Sequence, residues 1–323
     1  MRSLIAVLLF LSLSALGDEQ RFASIGDLKL GSGDVIRDCR IGYRTAGTLN
    51  ETRSNALVVL TWFGGRTADL QSAIGPGKLY DTDRWFVVAI DALGNSVSCS
   101  PSNSVLQKGA AFPRFTIADM VRSQYELLTR ELRLDRVHAI AGASMGGMQA
   151  WQWAVSYPKF ARKIIPIVGT PKQTAYDLVL WRTELEAIES ADDDEERREA
   201  LEVIAGIGML VLWTPEWTNR TAEDLTKRFE ARRKSIARHD PYDYMSQLRA
   251  MIAHDIGAVE KFESEILTIV ALEDLTVNPQ PSRDLARKTG AHIVTLSGDC
   301  GHLASACESE IVRREVWKFL GEP

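Results

Sequence analysis

Ser144 stands between two glycines in Gly142-Ala-Ser-Met-Gly146, directly after the apolar run Val137-His-Ala-Ile-Ala141. Gly-x-Ser-x-Gly at the end of a buried strand is the pattern of a nucleophile elbow. The turn is too tight for side chains at its flanks, and it pushes the serine into a strained conformation at its apex. A helix expected over 145–157, stopped by Tyr157-Pro158, aims its first amides at the hydroxyl. The N–H of Met145 then becomes a donor to an oxyanion. An ordinary strand–helix turn also uses small residues, so the remaining residues have to decide.

Such a serine needs a base and a carboxylate, and on this elbow they follow in the order Ser, Asp or Glu, His. His138 lies in the strand before Ser144, His239 and His254 in a polar helical stretch, and His292 at the start of a strand. His302 follows Gly301 in a loop near the C-terminus, where a returning chain can reach the elbow. The carboxylate is read as Asp274, at the end of the strand Leu267-Thr-Ile-Val-Ala-Leu272, with Glu273 as the alternate on the opposite face. Asp299 is close to His302 in sequence and reads as a turn residue. Serine attacks, histidine carries the proton, and the carboxylate holds the imidazole tautomer.

The elements that must carry these groups alternate. Short apolar runs at 57–60, 85–90, 137–141, 163–168, 266–272 and 292–296 are interleaved with helical stretches at 117–131, 145–157, 282–288 and 309–320. That rhythm predicts an α/β fold, a mostly parallel sheet with helices on both faces. An early hairpin over 28–30 and 35–45 supplies an antiparallel edge. Between 170 and 255 the strand rhythm gives way to helical patterns, read as a lid inserted over Ser144. The expected organisation is therefore 18–169 and 256–323 as core, and 170–255 as lid.

The chain resembles the homoserine O-acetyltransferase family of α/β-hydrolase-fold enzymes. The resemblance rests on Ala143-Ser-Met-Gly-Gly-Met-Gln149, Tyr43-Arg-Thr-Ala-Gly-Thr-Leu-Asn50, Gly75-Pro-Gly-Lys-Leu-Tyr-Asp-Thr82 and Phe112-Pro-Arg-Phe-Thr-Ile-Ala-Asp-Met-Val-Arg-Ser-Gln124. A late stretch from Arg238-His-Asp240 through Tyr244 to Asp255 is also similar. It implies that Thr61-Trp62-Phe63-Gly64-Gly65 is the oxyanion loop, with Phe63 N–H as the second donor beside Met145. A plain glycine turn is the other reading of that loop.

The departures from the family bear on substrate. In the family an aspartate directly follows the catalytic histidine and holds the homoserine amine; here that place is Leu303. The family's lid arginine and a tyrosine seven residues later grip the amino-acid carboxylate; an ungapped alignment places Gly206 and Trp213 there. Charge-assisted hydrogen bonds contribute roughly 1.5–3 kcal/mol each. Losing two or three would weaken a zwitterion about a thousandfold or more. Trp62, Gly206, Trp213 and Leu303 are thus expected to line an apolar pocket. The chemistry is retained and the substrate changed.

Residues 1–17 read as a signal peptide: Arg2, an apolar stretch over 4–13, and Ala15-Leu-Gly17 before the cleavage point. The apolar stretch is short for a bilayer, so no membrane span is expected after cleavage, and the protein is expected to be exported. The net charge of -5 and pI near 5.7 argue against a nucleic-acid partner. Cys39, Cys99, Cys300 and Cys307 allow three pairings, and the sequence does not choose among them. A Cys300–Cys307 bond would clamp the His302 loop; buried free thiols are the other reading. No metal-ligand spacing or dinucleotide motif occurs, and no cofactor is expected.

Within the lid, Asp192-Asp-Asp-Glu-Glu196 reads as a solvated helix start with Asp192 as cap. Trp181, Trp213 and Trp217 are either pocket wall or the lid's own core, and a homodimer would form through this region. The favoured function is an exported serine-dependent hydrolase of uncharged acyl esters, acting on a small-molecule ester or thioester. The alternatives are a homoserine O-acetyltransferase using acetyl-CoA, and a non-catalytic binding protein on the same fold.

Overall fold

A computed structural model describes residues 19–322; the segment read as a signal peptide lies outside them. Among the described residues, eight strands form one sheet: β1 (Arg21–Lys29), β2 (Val35–Ala46), β3 (Ala56–Leu60), β4 (Phe86–Ile90), β5 (Val137–Ala143), β6 (Ala161–Ile167), β7 (Glu265–Ala271) and β8 (His292–Leu296). Their order across the sheet is β1-β2-β4-β3-β5-β6-β7-β8. β2 is antiparallel to both β1 and β4, and the remaining neighbours are parallel.

The parallel strands are apolar throughout because both faces of the sheet are covered. In β3, Val58 and Leu60 join one core and Leu57 and Val59 the other, as period-2 alternation requires. Helices α1 (Ile117–Glu126) and α2 (Met145–Ser156) cover the first face with Met120, Val121, Met148 and Trp151. The second core takes Val312, Val316 and Leu320 from the C-terminal helix, Ser309–Leu320.

Five helices fill the stretch between β6 and β7: α3 (Ala175–Glu189), α4 (Asp194–Val211), α5 (Pro215–Arg220), α6 (Leu225–Ile236) and α7 (Pro241–Ile252). After β7 come α8 (Gln280–Thr289), α9 (Ala304–Cys307) and α10 (Ser309–Leu320). Among the described residues no helix is long and apolar enough to cross a membrane.

Several boundaries differ from the sequence expectation. β1 begins at Arg21, not 28, because an edge strand with Phe22 45% exposed lacks the apolar run of a central strand. The helix expected over 117–131 is α-helical only to Glu126; residues 127–131 form a π-helical turn. The cap of α4 is Asp193, whose carboxylate accepts from the Glu195 and Glu196 N–H groups, rather than Asp192.

Candidate active site

The elbow is shaped by its glycines. A Cβ on Gly142 would lie 2.3 Å from the Gly146 carbonyl oxygen, and one on Gly146 would lie 2.7 Å from the Leu60 oxygen. Neither position can carry a side chain, so strand and helix close up around residue 144. Ser144 itself takes φ 57° and ψ -122°, a conformation costly for a non-glycine residue, and its N–H is anchored on the Ile167 oxygen. Val168, at φ 41° and also in the cavity wall, is a second backbone outlier beside it.

His302 arrives on the loop after β8. Its Nε2 lies 2.9 Å from Ser144 Oγ, and its Nδ1 lies 2.7 Å from Asp274 Oδ2. The other carboxylate oxygen accepts from the Thr276 and Val277 N–H groups, each at 2.8 Å. A carboxylate only accepts, so Nδ1–H donates to Asp274 and Nε2 is left to accept from the seryl O–H. An imidazole held this way can take a proton from Ser144 and return it to a leaving group. Glu273 is exposed, and Asp299 is ion-paired with Arg220.

The His302 loop is constrained from two sides. The cysteines pair as Cys300–Cys307 and Cys39–Cys99, the first bracketing His302. The lid presses on the same loop: Thr214 donates its hydroxyl to the Asp299 carbonyl, and Gly301 packs against Leu212 and Trp213.

The loop after β3 is held from below and above. Trp153 Nε1 donates to Gln124, Gln124 to Gln149, and Gln149 Nε2 to the Thr61 carbonyl at 3.0 Å. From the lid, Gln247 Oε1 accepts from Gly64 N–H at 2.8 Å while its amide donates to the Leu93 carbonyl. Phe63 packs edge-on against Tyr244, ring centroids 4.5 Å apart.

Ser144 and His302 open into a cavity of about 530 Å³ roofed by the lid. Trp62, Phe63, Trp213 and Leu303 all line it, as does Trp181. Gly206 does not: a Cβ there would touch only Phe229 of α6, and Gly208, two residues on, lines the cavity instead. Gly206 therefore stands outside the wall it is expected to line, because α4 turns residue 208 to the cavity and residue 206 to α6. Trp213 stacks on Trp217 at 5.2 Å, with the Arg228 guanidinium over both rings.

The sequence reading missed the polar part of this wall. Glu184, Arg232, Tyr244 and His239 all line the cavity. Glu184 is 6% exposed, and burial pushes its carboxyl up to about 7, against the opposing pull of the Tyr244 hydroxyl and Arg232. His239 lies in the turn after α6, not in a helix; burial and then Arg238, Arg66 and Arg232 push it down to about 4. Glu184 had a legible signal, since it shares the inward stripe of α3 with Trp181 and Ile188. Among the described residues no group of three or more His, Cys, Asp or Glu side chains is placed to hold a metal ion.

Residues 56–306 match the family model of the alpha/beta hydrolase fold. A homoserine O-acetyltransferase of Chlorobaculum tepidum is 30% identical over 93% of this chain and 94% of its own. A probable esterase of Corynebacterium glutamicum is 38% identical over 52% of this chain, a match spanning 49% of that protein. The crystal structure of an acetylester hydrolase from Corynebacterium glutamicum superposes with a TM-score of 0.85 at 25% identity, covering 94% of this chain and 95% of that one.

Proposed function

This chain belongs to the α/β-hydrolase fold family, in its homoserine O-acetyltransferase-like group, and we propose that it is an exported serine hydrolase of uncharged acyl esters. Its relatives place it among enzymes of ester hydrolysis or acyl transfer. The hydrolase reading is carried by the hydrogen-bonded line Ser144–His302–Asp274, which opens into a cavity walled by Leu303 and Trp213.

Ser144 Oγ attacks the acyl carbon as His302 Nε2 removes its proton, and Asp274 stabilises the imidazolium. The N–H groups of Met145 and Phe63 hold the oxyanion. The alcohol leaves with the proton from His302, and water then repeats the sequence on the acyl-enzyme.

Export is supported by the pattern of residues 1–17 and by the two disulfides, which persist in oxidising compartments. Exposed apolar residues on the lid, Val179 at 69% and Leu210 at 73%, support a homodimer through that surface, which sedimentation would test.

The full-length likeness to an acetyltransferase favours a second reading, transfer from acetyl-CoA to homoserine. The two separate in one assay. Purified protein is offered short and medium acyl esters in water, and acetyl-CoA with homoserine. Ester hydrolysis without homoserine acetylation is expected; efficient homoserine acetylation overturns the hydrolase reading.

A further inference from the structure

Glu184, Arg232 and Tyr244 come from three different lid helices, α3, α6 and α7, and meet in the wall of the cavity that Ser144 opens into. None of them bonds to Ser144, His302 or Asp274. The Tyr244 hydroxyl donates to Glu184 Oε2 at 3.2 Å. Arg232 makes no hydrogen bond or ion pair with any described residue, and its Nε is enclosed without an acceptor. Glu184 and Arg232 do not pair with each other, so their nitrogens and oxygens stand more than 4.0 Å apart.

The guanidinium has a built seat. A Cβ on Gly208 would lie 2.9 Å from Arg232 Nη2 and 3.0 Å from Nε, so a side chain there would push the guanidinium from its place against α4. Glycine is an unfavourable residue inside a helix, and at position 208 this clearance is its structural reason.

We propose that Glu184, Tyr244 and Arg232 form a polar anchor for a hydroxyl group that the substrate carries away from its ester bond. The proposal rests on the ester-hydrolase reading and names the class of ester. A guanidinium can only donate, and Glu184 accepts from Tyr244 alone among the described residues, through Oε2. One hydroxyl accepts from Arg232 and donates to Glu184 with a single oxygen. An alkyl group in the same place leaves both desolvated and unpaired, the situation in which polar sites discriminate most strongly. A carboxylate meets the Glu184 carboxylate as a like charge, and an ammonium meets the guanidinium. The anchor thus selects an uncharged ester with a hydroxyl, and it gives these polar groups a role in a wall they share with Leu303 and Trp213.

The test uses the full mature protein and two matched ester pairs, one with a hydroxyl on the acyl chain and one with it on the alcohol, each beside its alkyl analogue. For at least one pair the hydroxyl member is expected to have a kcat/KM about tenfold or more above its analogue. That ratio is expected to fall to near one in Arg232→Met, Glu184→Gln and Gly208→Ala, the last displacing the guanidinium by a single methyl group. A ratio near one for both pairs in the wild type overturns the anchor, as does a preference that survives all three variants or a preference for carboxylate- or ammonium-bearing esters. Binding separates this from failure of the hydrolase reading. In Ser144→Ala protein, quenching of cavity tryptophans is expected to show about tenfold tighter binding of the hydroxyl member. That preference with no turnover of any ester by the wild type contradicts the hydrolase reading and keeps the anchor; turnover with equal affinities does the reverse.

Discussion

His302 Nδ1 lies 2.7 Å from Asp274 Oδ2, while Glu273, the adjacent carboxylate, faces solvent. Both lie just past β7, where the chain turns Asp274 inward and leaves Glu273 exposed. Asp274 is fixed further by the Thr276 and Val277 amides, which leaves its second oxygen for His302 alone.

Asp274→Asn should therefore lower kcat by about 10³–10⁴, since an amide permits the wrong imidazole tautomer, and Glu273→Gln should change it less than about twofold. Steady-state ester hydrolysis by both variants checks this. The reverse order of losses would move the carboxylate role to Glu273.

Much of this was legible in the chain because the signals are local. The central strands show as unbroken apolar runs, since both faces of the sheet are buried, whereas β1 is half-hidden because its outward residues face water. Ser144, Asp274 and His302 were found by motif and by order along the chain, and the structure brings them into hydrogen-bonding distance. Gly206 was misassigned because the rotation of α4 depends on how α6 packs on it. Arg232 and Tyr244 lie far from Glu184 in sequence, and their meeting depends on tertiary packing of the lid that no local pattern encodes.

The two disulfides should separate by their readouts. Cys39–Cys99 closes 60 residues and Cys300–Cys307 closes 7, which on chain entropy correspond to about 4 and about 2 kcal/mol. Replacing the first pair by serine should lower Tm most and leave kcat close to wild type. Replacing the second should lower kcat severalfold with the smaller loss of Tm, because its loop carries His302. Equal kcat in the two double variants would contradict a positioning role for Cys300–Cys307.

Glu184 sets a slope in stability against pH. Its folded pKa is raised to about 7 from 4.5, so the folded state holds the proton longer than the unfolded one. Stability should fall as pH rises from about 4.5 to about 7, by up to about 3 kcal/mol, and stay lower above that. Glu184→Gln cannot ionise and should lack this fall. Urea unfolding at pH 5 and pH 8 measures the difference; parallel behaviour of the two proteins would show that burial does not perturb this carboxyl.

Leu303→Asp places a carboxylate beside His302, but an amino-acid carboxylate would meet Arg232 only in the company of Glu184, and Trp213 still occupies the wall. Homoserine binding should improve only weakly, by less than about tenfold, since one charge stays unpaired. Calorimetric titration of the variant with homoserine checks this, and a gain of several hundredfold would show that Leu303 alone set the substrate.

The chemistry proposed for this site depends on Ser144 as the nucleophile. The most direct measurement is reaction of the purified protein with a fluorophosphonate, followed by peptide mapping, alongside ester turnover by Ser144→Ala. A single adduct is expected on the peptide carrying Ser144, and neither adduct nor turnover in the variant. An adduct on another residue, or full ester turnover by Ser144→Ala, would contradict it.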